Sequence, residues 1–238
     1  MLIKDKTILV TGANRGMGAE LVRSFLNAGA KKVFAGARNP SSLPDFDDAR
    51  VARLQLDITK PEEVASAVQE AGDIDILYNN AGVMNYGDIL TTRAEDLLFN
   101  MNVNYFGTVR MMQAFAAIIE KNGGGIIANT ISVLGLAPIA GIAGYSASKA
   151  ALFSATLAAR KTLQPKNIDV IAVYPGPIAT DMAEDLDMPK ASAGDTANEI
   201  VNGIIDGQED IYPDPISKQV SVLWGSNPKG AEKYFASL

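Results

Sequence analysis

The chain has 238 residues and contains neither histidine nor cysteine. Without cysteine there is no disulfide, no thiolate nucleophile and no cysteine-based zinc site. Without histidine there is no serine–histidine–aspartate triad, no imidazole metal ligand and no histidine-held haem. Most hydrolytic chemistries fall with these two absences, and no metal site is expected. If the protein moves protons, it must do so without the side chain that titrates nearest neutrality. Long apolar runs are also missing: none approaches the roughly 20 residues that span a bilayer. The opening MLIKDKTILVTG has too short an apolar run for a secretory signal. A cytoplasmic protein with no membrane partner is the expectation. No block of like charge occurs and the formal net charge is −6, which argues against nucleic acid, because phosphate binding needs a basic face.

What is present suits a large buried core, with 47% hydrophobic and 20% charged residues. Internal repeats, low-complexity tracts and Gly/Ser linkers do not occur, so residues 1–238 read as one domain. Short apolar strands alternate with amphipathic helices. Thr7–Val10 is a strand ending at Thr11-Gly12, and AELVRSFLNAGA places Leu21, Val22, Phe25 and Leu26 at helical spacing. KKVFAGAR and RVARLQLDIT read as strands, and Pro61 followed by Glu62 and Glu63 opens a helix. IDILYNNAG, GGIIANTIS and IDVIAVYPG are further strands. The helices between and after them are one long pattern over Ala94–Glu120, GYSASKAALFSATLAARKTL, and TANEIVNGIIDG. Near-continuous apolar strands flanked by helices predict an α/β fold, a doubly wound parallel sheet in three layers. Ligands of such sheets lie beyond the carboxyl ends of the strands.

At the end of the first strand stands TGANRGMG, with Gly12, Gly16 and Gly18. Glycines there allow a tight turn and a close backbone approach to a pyrophosphate at a helix N-terminus. The spacing is G-x-x-x-G-x-G, so the turn alone is a modest signal. The second strand ends Ala35-Gly36-Ala37-Arg38, without the acid that bonds a ribose 2′-hydroxyl in NAD sites. Arg38 and Arg15 can instead clamp a 2′-phosphate, since guanidinium matches phosphate geometry. NADP(H) is therefore the expected cofactor, in preference to NAD(H).

With these residues in place the chain resembles the short-chain dehydrogenase/reductase family over nearly its whole length. TGANRGMG is similar to that family's cofactor turn and Asn79-Asn80-Ala81-Gly82 to its NNAG motif. Asn104, Ser132, Tyr145 and Lys149 match its catalytic tetrad in order and spacing, and Pro175-Gly176 followed by Thr180 matches its nicotinamide segment. The resemblance implies a Rossmann-type fold and an oxidoreductase acting on a carbonyl or secondary alcohol. It also implies that Gly12, Asn14, Arg15, Gly16, Met17, Gly18, Arg38, Asp57 and Ile58 bind the cofactor. The remaining cofactor contacts it implies are Asn80, Ala81, Gly82, Tyr145, Lys149, Pro175, Gly176, Ile178 and Thr180.

The chemistry expected of the tetrad starts from helical spacing, which puts Lys149 on the same face as Tyr145. A cation near a phenol favours the phenolate and lowers its pKa, so Tyr145 is expected to be tuned down by Lys149 and to act as general acid and base. Ser132 would orient the reacting oxygen. By the resemblance, Lys149 also holds the nicotinamide ribose, and Asn104 holds a water that links the lysine to solvent.

Two segments depart from the family's pattern. Asp210-Ile-Tyr-Pro-Asp-Pro215 replaces a glycine-rich terminal strand that supports tetramers, so a homodimer stands beside a homotetramer as the expected assembly. Trp224 and Phe235 are expected to dock the tail on the body or on a partner subunit. The substrate lid, about 180–193, is short, with one helical turn expected at Ala183–Leu186. With Met84, Leu134, Ile142 and Pro177 it suggests an apolar pocket for a small ketone, aldehyde or secondary alcohol. The competing readings are a non-catalytic dinucleotide-binding redox sensor, and an epimerase or dehydratase, which needs a larger C-terminal region.

Overall fold

A computed structural model of the chain describes residues 3–236. Seven strands form one parallel sheet: β1 (Thr7–Thr11), β2 (Lys32–Ala37), β3 (Val51–Gln55), β4 (Ile76–Asn79), β5 (Gly125–Thr130), β6 (Ile168–Val173) and β7 (Asp210–Ile211). Their order is β3-β2-β1-β4-β5-β6-β7. The chain thus reverses its direction of winding between β1 and β4, where two crossovers leave a crevice at the strand ends. This is the doubly wound Rossmann-like fold that the sequence predicts.

Side-chain alternation explains why the strands read as unbroken apolar runs. Leu9, Phe34, Leu54, Leu77 and Ile127 point into one core, while Ile8, Val10, Val33, Ile76 and Tyr78 point into another. Both faces must be covered, so neither half of the period-two pattern can be polar. Helices α1 (Gly16–Asn27) and α6 (Ala193–Ile205) pack together over one face. Over the other lie α2 (Pro61–Glu70), α4 (Thr108–Lys121) and α5 (Ala143–Leu163).

Three features differ from expectation. The long helix over Ala94–Glu120 is not uniform: α3 (Ala94–Asn100) runs into a seven-residue π-helical segment, Met101–Gly107, before α4 begins. Helical apolar periodicity does not distinguish i+4 from i+5 bonding, so the pattern alone could not show it. The lid carries a single short 3₁₀ turn, at Asp181–Ala183 rather than Ala183–Leu186. The tail contributes the edge strand β7, which pairs with β6 through Ala172↔Asp210 and Val173↔Ile211. It continues as α7 (Pro215–Ser226) and α8 (Pro228–Ala236). Phe235 is buried and Trp224 half-buried in one cluster with Tyr145 and Leu134, so both residues dock the tail on the body of its own chain. Among the described residues, no helix is long and apolar enough to cross a membrane.

Candidate active site

The turns after β1, β2, β3, β4, β5 and β6 surround one cleft of about 580 Å³, within the range of small-molecule sites. Every residue assigned above to the cofactor lines it, as do Ser132, Tyr145 and Lys149. Asn104 does not; it lies fully buried behind the wall.

The cofactor end is built on the crossover. Thr11 Oγ1, at the tip of β1, accepts hydrogen bonds from the backbone N–H groups of Asn80 and Ala81, each at 3.0 Å. Asn80 Nδ2 returns to the carbonyls of Thr11 and Gly12, each at 3.1 Å. The glycine turn is therefore locked to the end of β4. Gly18 permits this closeness, since a Cβ there would stand 2.6 Å from Asn80 Nδ2. The first turn of α1 carries no acidic side chain, so its unpaired N–H groups and positive dipole end face the cleft uncompensated. By contrast α2, which faces no such site, begins with Glu62 and Glu63. Arg38 is exposed at the end of β2. Asp57 holds Thr59 through its backbone N–H at 2.9 Å and its hydroxyl at 2.7 Å. These hydrogen bonds, with the charges of Lys60 and Arg38, hold the Asp57 carboxyl below its usual range against the opposing effect of burial. These residues suit a phosphate-bearing dinucleotide: an anion-seeking helix end, a glycine cradle and a basic rim.

The reactive end is built on α5. Tyr145 sits in its first turn and Lys149 one turn later, with Nζ 5.6 Å from the phenol ring centroid. Both are buried. Lys149 Nζ donates to the Thr130 carbonyl at the end of β5, at 2.8 Å. Ser132 has φ 152° and ψ 156°, a region nearly reserved for glycine that costs a side-chain-bearing residue about 1–3 kcal/mol. The surrounding bonds over-determine it: Leu134 N–H donates to its Oγ at 3.1 Å, and the Val133 N–H donates to the Pro175 carbonyl at 3.1 Å. Asn104, inside the π segment, uses its side chain as a clamp. Its Oδ1 accepts from Val83 N–H at 2.8 Å, and its Nδ2 donates to the Val83 carbonyl at 2.9 Å and to Ser148 Oγ at 2.8 Å. The amide thus ties the NNAG turn to α5, and π-helical turns are frequent at such functional positions.

Electrostatics correct one expectation. Burial pushes the Tyr145 phenol up to about 12, a hydrogen bond with Ser132 opposing it in part. Burial likewise pushes the Lys149 ammonium down to about 7. Desolvation, which spacing arguments cannot weigh, is the leading cause for both groups. A stability signature follows. Lys149 takes up its proton near 7 in the folded protein but near 10.4 in an unfolded chain, so the unfolded state binds more protons between these values and stability rises with pH across them. With no histidine and no cysteine, only the α-amino group should otherwise titrate between about pH 7 and 9. Urea midpoints are expected to rise from pH 7 to 9, and Lys149→Met to flatten the rise; parallel profiles for the two proteins would contradict the shift.

Several functional positions escaped sequence reasoning. Thr11 opens the TGANRGMG turn and Thr130 stands two residues before Ser132, yet the motifs do not show that they act through a hydroxyl and a carbonyl at strand ends. Asp214 is buried, and its carboxylate accepts from Gly176 N–H at 2.7 Å and Ser217 N–H at 2.9 Å. The signal available for it was the Asp-Pro pair, which marks a capped helix start. Met84, Leu134 and Pro177 line the cleft as expected, together with Ile139, Met182, Leu186, Met188, Tyr234 and Phe235. Ile142 does not; it is buried in the core against Tyr145 and Leu152.

A family profile described as short chain dehydrogenase matches residues 6–191. The chain belongs to the short-chain dehydrogenase/reductase family, a family of oxidoreductases. It is 31% identical over 244 residues to dehydrogenase/reductase SDR family member 7B of Xenopus tropicalis, covering 95% of this chain and 76% of that protein. It is 30% identical over 197 residues to the 3alpha-hydroxysteroid dehydrogenase of Mediterraneibacter gnavus, covering 78% and 79%. A short chain dehydrogenase from Burkholderia cenocepacia, solved in complex with NADP, superposes with a TM-score of 0.93 at 35% identity over 99% of both chains.

Proposed function

We propose that the protein is an NADP(H)-dependent oxidoreductase that interconverts an apolar ketone or aldehyde and its alcohol, with Tyr145 as general acid and base. The observation that carries this reading is one cleft with the glycine turn and Arg38 on one side of the sheet crossover and Ser132, Tyr145 and Lys149 on the other. The α1 N-terminus would hold the pyrophosphate, Arg38 the 2′-phosphate, and Pro175 to Thr180 the nicotinamide. When bound, that cofactor supplies or accepts hydride. Ser132 Oγ would hydrogen-bond the substrate oxygen while the Tyr145 hydroxyl delivers or removes its proton. Lys149, anchored on Thr130, would set the field at the phenol.

Two similarities support the choice: the Burkholderia structure binds NADP, and a relative is named as a hydroxysteroid dehydrogenase, which fits an apolar wall around Met84, Ile139 and Leu186. The exposed Leu98, Phe106 and Leu157 support assembly as a homodimer or homotetramer. The direct test follows NADPH oxidation across a panel of apolar ketones and aldehydes. Tight NADPH binding with no oxidation by any of them would favour a non-catalytic redox sensor instead.

Cofactor choice has its own test. Arg38→Asp is expected to weaken NADPH binding by about tenfold or more, the worth of a charge-assisted hydrogen bond, and to leave NADH binding nearly unchanged. Equal losses for both cofactors, read by calorimetry, would remove Arg38 from phosphate recognition.

A further inference from the structure

Arg15, in the glycine turn, makes an ion pair across the cleft rim. Its Nη1 donates to Asp181 Oδ2 at 2.7 Å, linking residues 166 apart in the chain. Asp181 opens the short lid helix after β6. The same two loops touch a second time, since a Cβ on Gly16 would stand 2.9 Å from Thr180 Cγ2. Both charged side chains are 68% exposed, so the pair adds little to fold stability. Its consequence lies in what else the guanidinium could bind. Arg15 and Arg38 line the same cleft, and among the described residues Arg38 makes no ion pair while Arg15 already holds a carboxylate.

We infer that Asp181 is a specificity-determining residue that competes with the cofactor's 2′-phosphate for Arg15. The inference rests on the NADP(H) reading above. One guanidinium faces two anions, and a carboxylate at 2.7 Å neutralises much of the charge that a phosphate would use. A phosphorylated dinucleotide must draw Arg15 off the lid, whereas an unphosphorylated one leaves the pair intact. Asp181 therefore narrows the advantage of NADPH over NADH, and phosphate binding releases one fastening between lid and glycine turn. Asp181 needs no role in the chemistry itself, and its exposure makes Asp181→Asn a change that leaves the fold alone.

The experiment measures NADPH and NADH dissociation constants by calorimetry for the parent, Asp181→Asn, Arg15→Ala and the double variant. Asp181→Asn is expected to tighten NADPH binding about two- to fivefold, the range of an exposed ion pair, with NADH unchanged within about twofold on the same scale. In the Arg15→Ala background, Asp181→Asn is expected to change neither. Equal weakening of both cofactors would show that Asp181 only fastens the lid, and tightening that persists without Arg15 would show a general charge effect; either overturns the inference. A parent that prefers NADPH but does not respond to Asp181→Asn overturns the competition alone. A parent without preference for NADPH overturns the cofactor reading, and the competition with it.

Discussion

Tyr145→Phe is expected to lower turnover by about 10²- to 10⁴-fold, the usual worth of a positioned general acid or base, while NADPH binding stays within about twofold on a scale where 1.4 kcal/mol is tenfold. The reason lies in what phenylalanine keeps and loses. The ring stays in its cluster with Ile131, Leu134 and Leu152, so the wall of the cleft and the start of α5 keep their shape. Only the hydroxyl goes, and with it the proton. Histidine and cysteine are absent, so neither an imidazole nor a thiol can take over the proton. With its pKa held near 12, the phenol is protonated at neutral pH, the form that donates to a carbonyl oxygen. Single-turnover measurement with NADPH and a reactive ketone separates chemistry from binding. Turnover within tenfold of the parent would remove Tyr145 from the proton transfer.

Asp214→Ala is expected to cost about 3 kcal/mol of folding stability, about 1 for the lost helix cap at Ser217 and about 2 for the donor left without a partner at Gly176. For a chain of this size that is a fall of roughly 6–12 °C in melting temperature. Asp214 is 2% exposed, and its two oxygens accept from different structures. One caps α7 at Ser217, whose hydroxyl oxygen in turn accepts from the Asp214 N–H in a capping box. The other holds the Gly176 N–H at the floor of the cleft. Removing the carboxylate orphans the buried Ser217 N–H and the half-buried Gly176 N–H and cuts the tail's polar link to the cleft. Ser192, the exposed cap of α6, provides the comparison, because its loss orphans no buried donor and Ser192→Ala should cost about 1 kcal/mol. Thermal melts of both variants give the answer. A loss for Asp214→Ala no larger than that for Ser192→Ala would show that water or a neighbour replaces the carboxylate.

The two predictions differ in how far the sequence foreshadows them. Tyr145 and Lys149 stand at a helical spacing that any reading of GYSASK detects, and their order after Asn104 and Ser132 marks them further. Asp214 carries only a helix-start signal, its Asp-Pro pair with Ser217 three residues on, because its other partner, Gly176, is joined to it only by folding. Asn104 falls between. Its position in the chain was legible, yet its clamp on Val83 and Ser148 depends on a π-helical turn that apolar periodicity cannot show. Arg15 was legible as a basic residue in a glycine turn, but its partner Asp181 comes from the far side of the sheet.

The sequence by itself determined the layered α/β architecture, since strand runs apolar on both faces can be buried only between two layers of helices. It also determined which chemistries are closed, because absent side chains stay absent in any fold. Local spacing brought the tyrosine and lysine to one helical face, and the glycine turn to a strand end. The tertiary structure decided the quantities that depend on surroundings. Burial sets the phenol and the ammonium away from their ordinary values, in the directions opposite to what their attraction alone would give. Long-range hydrogen bonds at the strand ends decide which loops meet over the cleft. Both depend on atoms far apart in the chain, and a sequence pattern records neighbours within a turn or a strand rather than the solvent that folding removes.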